Sequence, residues 1–79
     1  MNASRRKRLK AVAEQLVGLQ TELDILQDQE DEAFEALPDR LKETKRGEAM
    51  QTACTDIEEA RDGIEAVIDA VERAMGGPA

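Results

Sequence analysis

Leu9–Leu37, LKAVAEQLVGLQTELDILQDQEDEAFEAL, is the stretch that decides the fold. Leu9, Val12, Leu16, Leu19, Leu23, Leu26, Glu30, Ala33 and Leu37 recur at alternating steps of three and four residues. That spacing returns side chains to one face of an α-helix, so these residues form the a/d seam of a heptad pattern, with one carboxylate interrupting it. Ala13 and Phe34 widen the seam at e, and Gln15, Gln20, Glu22, Gln27 and Gln29 flank it. A single long helix over residues 4–37 follows.

Upstream, Asn2 or Ser4 offers a side-chain oxygen to cap the helix start. Arg5, Arg6, Lys7 and Arg8 then occupy the first turns, where the helix dipole disfavours positive charge, so acidic neighbours are expected beside them. Downstream, Pro38 lacks an N–H and steers Leu37 out of the helical region, which ends the helix. The segment 38–44 reads as a turn, with one helical turn over Asp39 to Glu43, Leu41 tucked beneath it and Thr44 as the cap of a second helix over 45–75. Gly47 in the first turn of that helix signals fraying or a close approach of backbone. Met50, Ala53, Ile57, Ala60, Ile64, Val67, Val71 and Ala74 make the second a/d seam, Cys54, Ile68 and Met75 add an e column, and Gly76, Gly77 and Pro78 stop the helix before a tail over 76–79.

Folding one seam onto the other predicts an all-α, coiled-coil-like antiparallel hairpin that fills one domain over 1–79. Leu9 then faces Ala74, Val12 faces Val71, Leu23 faces Ala60 and Ala33 faces Met50, with the basic start laid beside Asp62, Glu65, Asp69 and Glu72. One seam buries too little apolar surface to order so short a chain. The remedy expected is a homodimer forming a four-helix bundle, its second contact made by Phe34, Cys54, Ile68 and Met75.

Charge narrows the function classes. Eighteen acidic against 11 basic residues leave a net charge of −7, which argues against direct binding of nucleic acid or an anionic membrane. One cysteine and no histidine exclude an internal disulfide and the usual zinc ligand sets, and no cofactor is expected. No apolar run follows Arg5 to Arg8, so the reading is a cytoplasmic protein without a membrane segment. Cys54 reads as a small apolar packing residue and Glu30 as a carboxylate snorkelling out of the seam.

Two patterns resemble known families. Glu32-x-x-Glu35 with Glu59-x-x-Asp62 is similar to the paired carboxylates of the all-α MazG-type nucleotide pyrophosphatases, which hold magnesium against phosphate. Here those residues fall at c and f, turned outward, so an enzyme is not expected. The turn Phe34-x-x-Leu37-Pro38-x-x-Leu41-x-x-Thr44-x-Arg46-Gly47-Glu48 resembles that of a group of small uncharacterised phage and prophage proteins. Their turn carries Asn, Gln and Ser where this chain has Ala36, Lys42 and Thr44. The resemblance implies a helical hairpin of phage-like origin and no activity. The reading that follows is a dimeric, non-enzymatic protein-interaction module with an unidentified protein partner. The alternative is an acidic mimic of nucleic acid that inhibits a host defence enzyme, built on Asp28 to Glu35 and on Glu58, Glu59, Asp62 and Asp69.

Overall fold

In the computed structural model, which describes residues 2–76, two long helices pack side by side and a short turn joins them: α1 (Ala3–Glu35), α2 (Asp39–Lys42) and α3 (Lys45–Ala74). Gly77 and Pro78, expected to stop the second helix, lie outside the described residues. The molecule measures 58 × 18 × 14 Å, so it is two helices wide and one helix thick. Among the described residues no further element covers either flank of the pair.

Local chemistry sets the boundaries. The Asn2 side chain accepts from the Arg5 N–H at 2.8 Å and caps α1. At the other end α1 stops at Glu35, two residues before Leu37, and the Ala36 N–H donates to the Glu32 carbonyl at 2.9 Å. Pro38 opens α2, with the Leu41 N–H donating to its carbonyl at 2.8 Å. Thr44 links α2 to α3: its hydroxyl donates to the Leu41 carbonyl and accepts from the Gly47 N–H at 3.4 Å. Past Ala74 the Gly76 N–H donates to the Arg73 carbonyl at 3.0 Å, and Gly76 takes φ +106°, the left-handed conformation that favours glycine at a helix end.

Of the two meanings Gly47 could carry, the structure adopts close approach. Gly47 is buried, and a Cβ there would lie 2.6 Å from the Leu41 carbonyl oxygen and closer still to that of Lys42. The start of α3 therefore sits directly against the backbone of α2. Leu37 and Leu41 are half-buried at the same end.

The seam differs from the expected one. On α1 the inward side chains are Leu9, Ala13, Leu16, Gln20, Leu23, Gln27, Glu30 and Phe34, which are the a and e columns. On α3 they are Gly47, Met50, Cys54, Ile57, Arg61, Ile64, Ile68, Val71 and Met75, with Ala53 partly covered beside them. The d column, expected inside, is largely outside: Val12 is 43%, Leu19 56%, Leu26 42% and Val67 48% exposed. Each helix is thus turned about 50° from the a/d expectation, half of the 100° that separates successive residues. The register moves with it. Arg61 donates to Gln27 across the pair at 2.6 Å, and extending that rung places Ile68 opposite Gln20 and Met75 opposite Ala13. The turn explains the rotation, because Gly47 lies in the e column and is the residue that lets α3 touch α2.

Candidate functional site

Inside the hairpin, the polar rung is held by Arg61. Besides its bond to Gln27, its guanidinium lies 3.5 Å from Asp24 and 3.5 Å from the neighbouring Asp62. A half-buried arginine needs such partners, since an unpaired charge at a helix interface is costly. Sequence reasoning placed Gln27 on the flank of the seam and passed over Arg61. The signal was available in the e column of α3, where Gly47, Cys54, Ile68 and Met75 leave Arg61 as the single charged member.

At the turn, Lys42 lies 3.4 Å from Glu35 and 3.7 Å from Asp39, with its ammonium 5.5 Å from the centre of the Phe34 ring. Phe34 is therefore partly roofed by the turn itself. Ile68 is only 7% exposed, and Cys54 and Met75 are half-buried against α1. The four side chains assigned to a contact between copies are thus covered to a large extent within one hairpin. Partial burial, then the adjacent Asp31 carboxylate and the charge of Glu30, hold the Cys54 thiol above its ordinary pKa. Cys54 is a damped thiol and not an activated one.

The carboxylates that resemble a pyrophosphatase pattern do not converge. Glu32, Glu35, Glu59 and Asp62 are all exposed, and among the described residues no group of three or more acidic or cysteine side chains is gathered as a cation site. The basic start shows a further difference. Among the described residues, Arg5, Lys7, Arg8 and Lys10 make no ion pair within 4 Å. Arg6, Lys7, Lys10, Glu14 and Glu72 line, together with Ala3, Ala13, Val17 and Met75, an open cleft of roughly 790 Å³ at the open end of the hairpin.

What the rotation leaves outside is the candidate site. The helices are antiparallel and both turn a and e inward, so helical handedness brings the two d columns to the same flank. Val12, Leu19, Leu26 and Ala33 of α1 run beside Ala60, Val67 and Ala74 of α3, all exposed. The opposite flank carries Asp24, Asp28, Asp31 and Glu35 of α1 and Glu58, Asp62, Glu65, Asp69 and Glu72 of α3, also exposed. The hairpin has a mainly apolar side and a mainly acidic side, the latter also carrying Val17 at 49% exposure. The accessible surface of 5896 Å² exceeds by about 1,200 Å² what a compact protein of 8.7 kDa exposes. No helix among the described residues is long and apolar enough to cross a membrane. Comparison with protein-family models, with curated proteins and with solved structures finds no match to this chain.

Proposed function

We propose that this chain is a non-enzymatic protein-interaction module of phage or prophage type that acts as a dimeric helical hairpin. The observation that carries the reading is the apolar flank, where Val12, Leu19 and Leu26 of α1 and Val67 of α3 stand 42–56% exposed. Contiguous apolar strips of this kind mark contact surfaces. A standard interface removes roughly 800 Å² per partner. Dimerisation through the flank leaves the acidic side and the two ends of the rod free for another protein.

Sedimentation equilibrium of the purified chain tests this. A mass twice 8.7 kDa at micromolar concentration supports the module as described, and a monomer throughout the micromolar range refutes it. The acidic flank favours a second reading, an imitation of the phosphate chain of nucleic acid that occupies a basic enzyme groove. Binding to such an enzyme would then weaken steeply with salt. Binding indifferent to salt would rule that reading out.

A further inference from the structure

The seam that closes the hairpin is not the most apolar one the two helices own. Gln20, Gln27 and Arg61 stand half-buried in its e columns. The d columns, apolar at every position from Val12 to Ala33 and from Ala53 to Ala74, lie largely on the flank, with Leu19 56% and Leu26 42% exposed. Both seams share the a columns, so Leu16, Leu23, Ile57 and Ile64 stay at the contact whichever of d or e is turned in beside them.

We propose that the hairpin has a second packing, reached by turning each helix about 50° so that d replaces e beside a, and that the apolar flank is a surface the chain can withdraw into its own seam. The rotation stands by itself, and its use in regulating contact rests on the reading of that flank as a contact surface. The two d columns lie on the same flank of antiparallel helices. Bringing both inward therefore turns the helices in opposite senses, like meshed wheels, and the shared a side chains remain interlocked throughout. A slide of one residue on each helix from the Gln27–Arg61 rung, about 3 Å in all, then sets Leu26 opposite Ile64 and Leu19 opposite Val71.

The exchange is close to balanced. Rotation gives up the cover over Phe34, Cys54, Ile68 and Met75, buries Val12, Leu19, Leu26 and Val67 in their place, and returns the Arg61 guanidinium and the Gln27 amide to water. Two discrete packings of similar content, not a continuum between them, are what close-packed interfaces allow. The catch is at the turn. Gly47 lies against the carbonyls of Leu41 and Lys42 and holds the e column inward as long as α2 is docked, and a 50° turn of α3 lifts it off. The turn end thus governs which face the far flank presents, and a partner that grips the flank favours the packing in which α2 is docked.

Closing one seam with a charge tests for the other. Ile68→Lys puts an ammonium group where the side chain is only 7% exposed. In a hairpin with a single packing that charge has nowhere to go, and two helices that cannot pair lose most of their helix content. With the second packing, position 68 turns to the edge of the seam, where lysine reaches water. Circular dichroism then shows the helix content retained, sedimentation shows a monomer because the flank is withdrawn, and hydroxyl-radical footprinting shows Leu19 and Leu26 losing the labelling their exposure otherwise allows. Adding Leu26→Lys to Ile68→Lys blocks both seams and should unfold the chain. Unfolding by Ile68→Lys alone overturns the proposal. So does a folded Ile68→Lys chain whose Leu19 and Leu26 stay open to labelling, and so does a double variant that remains helical. The mass of the native chain, which decides the dimeric module, enters none of these outcomes.

Discussion

Replacing Gly47 with alanine tests the packing that sets the rotation of both helices. Elsewhere in an exposed helix the change Gly→Ala is worth about 1 kcal/mol of added stability, because alanine restricts the unfolded chain and forms helix more readily. Gly18 and Gly63 should behave in that way, since a Cβ at either meets nothing within 4 Å. At Gly47 the new methyl would sit 2.6 Å from the Leu41 carbonyl oxygen, nearly 1 Å inside ordinary contact, and closer to that of Lys42. Both atoms are backbone, held by the bonds from the Leu41 N–H to Pro38 and from the Thr44 N–H to Leu41, so no side chain can swing aside. Relief requires α2 and α3 to separate. Overpacking of this kind costs about 1–3 kcal/mol, and the long Thr44 cap at 3.4 Å would go as well, costing about 1 kcal/mol more. After the helical gain the net loss is about 2 kcal/mol, a fall in Tm of about 8–16 °C for a chain of this size. The assay is thermal unfolding followed by circular dichroism at one fixed protein concentration. Gly18→Ala and Gly63→Ala should each raise Tm by about 4–8 °C in the same series. If Gly47→Ala is as stabilising as the other two, the close approach does not exist and the account of the rotation fails with it.

Further expectations concern single contacts. Arg61→Ala should cost about 1 kcal/mol in urea unfolding, discounted for partial exposure, while Gln27→Leu combined with Arg61→Leu should stabilise, because an apolar rung replaces a polar one. A neutral Arg61→Ala would show that the rung contributes nothing. Thr44→Ala removes both the cap of α3 and the hydroxyl bond to Leu41 and should cost about 1 kcal/mol, with Thr44→Ser close to the native value. Leu19→Asp, in the middle of the apolar flank, should weaken dimerisation by about 100-fold in sedimentation while helix content at high concentration is retained; an unchanged association constant would move the interface elsewhere. The raised pKa of Cys54 means less thiolate at pH 8 than in an unfolded chain, so iodoacetamide should react slowly. Asp31→Asn removes a cause of the shift, lowers the pKa and should speed the reaction; an unaltered rate would place Asp31 away from the thiol.

Much of the architecture is legible along the chain because it depends on neighbours in sequence. The three-and-four spacing from Leu9 to Leu37 specifies a helix whatever it packs against, Pro38 ends it through a missing N–H, and Asn2 and Thr44 cap through hydroxyl or amide oxygens three residues from their donors. The single turn at Asp39–Lys42 and the reversal that follows are equally local.

Which side of each helix turns inward is a different matter. Beside the a/d seam the pattern offers a second one through e, with Ala13 and Phe34 on α1 interrupted by Gln20 and Gln27, and Cys54, Ile68 and Met75 on α3 interrupted by Arg61, and counting leucines selects a/d. The tertiary structure selects a/e, because Gly47 must lie against the carbonyls of α2 and the e column follows it inward, carrying Ile68, Met75 and Arg61 with it. Periodicity determines that a helix has an apolar stripe and how long the stripe runs. Only the packing of one backbone against another, at distances that admit no Cβ, determines its rotation and leaves Val12, Leu19, Leu26 and Val67 facing out.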